Sequence, residues 1–143
     1  MPVNAAAEPG TRADAPDAKL VTFAIPCYNS AAYMDACIQS ILDACAPCTD
    51  FEIVIVDDGS QKDDTAGKAD GWARRLPGTV KAVHQENGGH GAAVLAGLEH
   101  ASGRYFKVVD SDDWVDRDAV QALLADIRRL EGAGETVDLF ITN

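Results

Sequence analysis

Ile53-Val54-Ile55-Val56-Asp57-Asp58-Gly59-Ser60 is a continuous apolar run that ends abruptly in two carboxylates and a turn. A run without polar alternation suits a strand covered on both faces, the signature of a parallel sheet between helices. On its N-terminal side, Val21 to Ile25 is a second β-rich run, closed by Pro26. Between the two, Met34, Cys37, Ile38, Ile41, Leu42 and Cys45 recur at three- and four-residue steps. That spacing predicts a helix with one apolar face, which Asn29 or Ser30 can cap. On the C-terminal side, Asp63 or Asp64 can start a helix in which Ala69, Trp72, Ala73 and Leu76 share a face. Val80 to His84 reads as a third strand, Gly88 to Gly91 as a turn, and a small-residue helix runs on to about Ala101. Arg104 to Val109 is a fourth strand. Asp116 can cap a last helix lined by Val120, Leu123, Leu124, Ile127 and Leu130, and Val137 to Ile141 begins a fifth strand. Strand and helix alternate four times, so the fold class is α/β: a mainly parallel, Rossmann-like sheet flanked by helices on both faces.

The 143 residues suit one domain with its own core. Residues 1–18 are rich in Ala, Pro and Asp and lack both a basic start and an apolar stretch. They are expected to be a disordered tail rather than a secretory signal, with residues 19–143 forming one folded unit. No apolar run approaches the ~20 residues of a membrane helix. The expected location is cytoplasmic, with any contact at the inner face of a membrane made through a region beyond Asn143. The net charge is −11, from 12 basic and 23 acidic residues. That argues against nucleic acid, whose binders present a basic face. It suits a site that collects cations, although most of these carboxylates are expected only to solubilise the surface. Cys27, Cys37, Cys45 and Cys48 are expected to be reduced, with Cys37 and Cys45 on the apolar stripe of a helix. Cys45-x-x-Cys48 has no second ligand pair to complete a zinc site.

In parallel sheets of this kind, ligands bind outside the carboxyl ends of the strands. The polar clusters fall there: Pro26 to Asn29, Asp57 to Ser60, Glu86 to Gly91, and Asp110 to Asp113. Carboxylates two residues apart beyond a strand end, as in Asp110-Ser111-Asp112, can turn toward one point and hold Mg²⁺ or Mn²⁺. An EF-hand loop starting at Asp110 fails, because position six would be Val115 and position twelve Gln121. Asp57 and Asp58 can accept from a base N–H or a ribose hydroxyl, or simply close a turn at Gly59. The glycines from Gly88 to Gly91 open a helix and allow close approach to phosphate. Gly89-x-Gly91-x-x-Val94 lacks the third glycine of a dinucleotide fingerprint and follows the wrong strand. His90 can meet a diphosphate or a metal, or be only a solvated loop residue. Tyr28 can stack on a base or pack on neighbouring loops.

Val21 to Asn29, Ile55 to Ser60, Glu86 to Ala92 and Val108 to Trp114, in this order, resemble glycosyltransferase family 2 and its GT-A fold. The resemblance covers Val21 to about Leu130. It implies that Pro26, Tyr28, Asn29, Asp57 and Asp58 hold the nucleotide, usually uridine, and that Asn87 and Gly88 lie near the donor. It implies that Asp110 and Ser111 contact the nucleotide-sugar, and that Asp112, with Asp110, holds Mg²⁺ or Mn²⁺ on the diphosphate. The implied activity is metal-dependent, inverting transfer of a sugar from a nucleotide diphosphate, UDP above all, to a saccharide or lipid-linked acceptor in cell-envelope polysaccharide synthesis. Inverting transfer needs a base for the acceptor hydroxyl. In the family that base lies well beyond the D-x-D segment, so it is expected after Asn143. The chain is then a truncated N-terminal, nucleotide-sugar-binding part that does not turn over by itself.

Two rivals fit less well. A haloacid-dehalogenase-like phosphotransferase places its D-x-D on the first strand with Thr or Val two residues after the second Asp; here the motif follows the fourth strand and Trp114 stands there. A non-catalytic α/β regulatory module of the receiver type places its acidic cluster on early strands and uses a later Lys. An exposed strand edge can also pair with a second copy, making a homodimer.

Overall fold

The computed structural model describes residues 18–139. The tail expected over residues 1–18 therefore lies almost wholly outside the described residues. The elements run β1 (Val21–Cys27), α1 (Met34–Cys45), β2 (Phe51–Asp58), α2 (Thr65–Arg75), β3 (Val80–Gln85), α3 (His90–Glu99), β4 (Tyr105–Val108) and α4 (Arg117–Gly132). The four strands form one sheet in the order β3-β2-β1-β4, and every pairing is parallel. β1 and β2 are the inner strands and every residue of both is buried. This is the environment that their unbroken apolar runs predict.

Side chains alternate across the sheet, so each inner strand feeds two cores. Phe23, Ile25, Ile53 and Ile55 face α1, α2 and α4, meeting Ile38, Ile41, Trp72, Leu124 and Ile127. Val54 and Val56 face α3 through Ala93 and Ala96. Helices thus cover both faces. α3 carries small residues because it lies close to the sheet: a Cβ on Gly97 would stand 2.8 Å from the Cβ of Ala24. All four cysteines are free thiols; Cys27, Cys37 and Cys45 are buried in the larger core, where burial pushes each up to about 12. No helix among the described residues is long and apolar enough to cross a membrane.

Three local expectations come out differently. α1 starts at Met34 after a turn, with Tyr33 as its N-cap and no side-chain cap. Ser30 is engaged elsewhere: its hydroxyl accepts from the Tyr28 amide and meets Ser111, and its own amide donates to Thr65. α2 starts at Thr65 with Asp64 at its N-cap position, as expected, but no side chain caps it; Asp63 instead accepts from the Thr65 amide and hydroxyl and from the Ala31 amide. Residues 137–139 are not a strand; the rest of the expected fifth strand lies outside the described residues. Asp116, by contrast, caps α4 as its sequence position predicts, accepting from the Ala119 amide at 2.8 Å.

Candidate functional site

Parallel pairing brings all four strand C-termini to one rim of the sheet. The register sets Cys27 beside Asp57, Asp57 beside His84, and Asp58 beside Gln85. The four loops that leave this rim are tied to each other in turn. Asn29 donates its amide to Ser60 Oγ at 2.9 Å, and its side-chain oxygen accepts from the Lys62 amide, joining the first loop to the second. Ser111 Oγ donates to Ser30 Oγ at 2.8 Å, joining the fourth loop to the first.

The second and third loops meet at Asp58. Its carboxylate accepts from Gln85 Nε2 at 2.8 Å, from the amides of Gly88 and Gly89 at 2.9 Å each, and from Asn87 Nδ2 at 3.3 Å. Those four bonds match the acceptor capacity of one carboxylate. Asp58 is 3% exposed. Burial pushes its pKa up, but the bonds from Gln85, Gly88 and Gly89 outweigh that and hold it below the usual carboxylate range. Gly59 lets the two loops touch: it has φ +73, and a Cβ there would lie 2.5 Å from the Asn87 nitrogen. Asp57, 5% exposed, accepts from the Ser60 amide and faces His84.

Above this mesh lies an open cleft of about 320 Å³ lined by Pro26, Tyr28, Asn29, Ser30, Tyr33, His90, Asp110, Ser111 and Asp112. Tyr28, which lines it, is 55% exposed. Asn29 has φ 49, a left-handed backbone unusual outside glycine that recurs at functional sites. At the other end, Asp110 to Asp113 form a turn closed by the Asp113 amide on the Asp110 carbonyl. Carboxylate oxygens of Asp110, Asp112 and Asp113 lie within 4.8 Å of one another, and all three residues are exposed. Three hard oxygen donors on one turn fit Mg²⁺ or Mn²⁺. The field behind the turn is visible at Cys37, whose thiol is pushed up by burial and then by Asp113, Asp110 and Asp112. His90, the first residue of α3, stands across the cleft with Nε2 3.9 Å from Asp110 Oδ1.

The structure therefore gathers every residue expected from the sequence at one rim, in two roles. Pro26, Tyr28, Asn29, Asp110, Ser111 and Asp112 line the cleft; Asp57, Asp58, Asn87 and Gly88 bind the loops beneath it. Sequence reasoning left out Tyr33 and Ser30, which line the cleft, and His84, which faces Asp57. Ser30, one residue past the first polar segment, is legible in the sequence only as a helix cap, whereas His84 becomes legible only through the register of β3 against β2. A larger groove, about 420 Å³, follows the outer edge of β4 and the apolar side of α4 near Leu123 and Ile127, away from these groups.

The Glycosyl transferase family 2 model matches residues 22–140. The chain is 36% identical over 103 residues to glycosyltransferase GlyA of Streptococcus pneumoniae, covering 72% of this chain and 14% of that protein. Among solved structures, S. aureus TarS 1-349 superposes with a TM-score of 0.69 at 29% identity, over 78% of this chain and 33% of that one, and it has also been solved with UDP and with UDP-GlcNAc. The mannosyltransferase PcManGT of Pyrobaculum calidifontis, solved with GDP-Man and Mn²⁺, superposes with a TM-score of 0.64 at 30% identity, over 72% of this chain and 31% of that one. The chain thus spans a third or less of the length of these relatives. With the acidic turn, the glycine-rich helix start and the two parallel strand ends all inside the matched range, this chain belongs to glycosyl transferase family 2 and has the GT-A fold.

Proposed function

We propose that this chain is the donor-binding part of an inverting glycosyltransferase that takes a sugar from a nucleoside diphosphate, UDP for preference, and passes it to a hydroxyl of a saccharide or lipid-linked acceptor. The observation that carries this reading is the clustering of the Asp110, Asp112 and Asp113 carboxylates on one turn, of which Asp110 and Asp112 line the cleft that also holds Tyr28, Asn29 and His90. Tyr28 offers the base a ring to stack on. Asn29, fixed by Ser60 and Lys62, gives the nucleotide a rigid polar edge. The start of α3, with His90, turns the positive end of the helix toward the diphosphate. Asp112, with Asp110, would hold a divalent cation, and Asp110 and Ser111 would also meet the ribose or sugar. Such a cation supplies Lewis-acid stabilisation of the charge that grows on the departing diphosphate.

Asp57, Asp58, Asn87 and Gly88 enter this reading as the residues that hold the loops at the donor. A direct contact from Asp58 to a nucleotide requires one of its four present bonds to open. The base that accepts the proton of the acceptor hydroxyl is assigned to none of these residues.

The reading is supported by the family match and by the nucleotide complexes of TarS and PcManGT. Thermal unfolding with UDP alone, Mn²⁺ alone and both together tests it. The expected result is a rise in Tm with the pair that exceeds the sum of the two single additions, as linkage requires of a site that binds them jointly. An unchanged Tm with the pair overturns it.

A further inference from the structure

His84 is the penultimate residue of β3 and its side chain is 41% exposed, yet both of its ring nitrogens face carboxylates. Nδ1 lies 3.0 Å from Asp57 Oδ2, and Nε2 lies 2.7 Å from Asp70 Oδ1 on α2. A neutral imidazole carries one proton and would turn a lone pair toward one of these carboxylates; only the imidazolium donates to both. These are the charged groups that face the ring, one from β2 and one from α2. Hydrogen bonds from the ring to Asp70 first, and to Asp57 second, hold its pKa above the ordinary value. From Asp57 the bonding continues into the cleft: Asp57 Oδ1 accepts from the Ser60 amide at 3.1 Å, and Ser60 Oγ accepts from the Asn29 amide at 2.9 Å. Asn29 sits at φ 49, a left-handed conformation that asparagine tolerates better than most residues, and its amide and side-chain oxygen are both bonded to the second loop.

We propose that His84 is a pH-responsive positioning residue of the donor site: as the imidazolium it fixes Asp57, and through Ser60 it fixes the cleft residue Asn29. Loss of the ring proton releases that chain and weakens nucleotide binding. The first half stands on the bonding alone; the second rests on the donor-site reading above. The direction follows from linkage. A histidine with a raised folded midpoint gives its full contribution below the ordinary 6.5 and loses it as pH rises through that midpoint.

NMR on the free chain from about pH 5.5 to about pH 9 spans the titration. The Asn29 and Ser60 amide signals are expected to titrate with the midpoint of the His84 ring. The affinity for UDP-N-acetylglucosamine with Mg²⁺, a ligand whose diphosphate diester does not titrate in this range, is expected to weaken about threefold across the same midpoint, the modest size proper to a part-exposed ion pair. His84→Gln can donate to one carboxylate but cannot titrate, and should flatten both profiles. Asp70→Asn, outside the cleft, should lower the ring midpoint and carry both profiles with it. Asn29 and Ser60 signals that ignore the ring, or identical affinity profiles in wild type and His84→Gln, overturn the proposal. Amides that follow the ring in a chain that binds the donor at no pH count against the donor-site reading alone.

Discussion

Asp58 and Asp112 are both acidic residues at strand ends, and they do opposite jobs. Asp58 is buried with all its acceptor positions filled by Gln85, Asn87, Gly88 and Gly89. Asp58→Asn turns an acceptor into a donor against backbone amides, leaving part-buried donors without their partner. The expected loss is about 1–3 kcal/mol in urea unfolding, with faster amide exchange at Gly88 and Gly89. Asp112 is exposed and serves no other side chain in the described structure that would suffer from neutralisation. Asp112→Asn should leave stability unchanged within about 0.5 kcal/mol. It should weaken metal-dependent nucleotide binding about tenfold or more, read by calorimetry with Mn²⁺ and UDP. An equal fall in stability for the two variants would refute this division of labour. The sequence shows both as acidic residues after apolar runs; only the count of donors around each separates a loop anchor from a candidate ligand.

The helices differ in how they meet the sheet, and their glycines report it. Gly71 lies within α2, where an added Cβ meets nothing nearer than an Arg74 nitrogen at 4.0 Å. Gly71→Ala should therefore stabilise by up to about 1 kcal/mol through helix propensity. Gly97 lies within α3 with Ala24 Cβ at 2.8 Å from an added Cβ, an approach that forces helix or sheet to shift. Overpacking of about 1–3 kcal/mol outweighs the propensity gain there, so Gly97→Ala should lower the urea midpoint. Opposite signs for one substitution in two helices measure how closely α3 approaches the strands. The helical period in the sequence places both glycines on helices, and nothing in it distinguishes the open one from the packed one.

Over the whole molecule, the buried and looped carboxylates set the acid limit of stability. For Glu52 and Asp58, burial pushes the pKa up but the bonds they accept outweigh it; for Asp63, the Thr65 hydroxyl leads in holding it low. All three lie below their ordinary values of 4.5 for Glu and 3.8 for Asp, so they contribute stability above those values and lose it as pH falls through their lower folded midpoints. His84 acts in the other direction, losing its contribution as pH rises above 6.5 through its raised midpoint. Urea midpoints should therefore be highest between these limits, fall steeply in acid and decline slightly toward alkaline pH. Replacing His84 by Gln should remove the decline that begins above 6.5, and leave the one that begins above 9.0, where the buried thiols of Cys27, Cys37 and Cys45, pushed up to about 12, resist ionisation.

The sequence by itself determined the class of the fold, because hydrophobic burial leaves its period on the chain. Ile53 to Val56 had to be covered on both faces, α1 and α4 had to turn one side inward, and Asp116 had to start a helix. It also marked the four strand ends as the polar places, since loops are where unpaired backbone and charge can reach water. The order β3-β2-β1-β4 belongs to the tertiary structure, and with it the facts that set the site. Only parallel register puts His84 beside Asp57 and Gln85 beside Asp58. Only the meeting of loops takes Ser30 from the role of helix cap and gives it to Ser111. A hydrogen bond depends on distances of a few ångströms between groups far apart in the chain, and one-dimensional spacing carries no record of them.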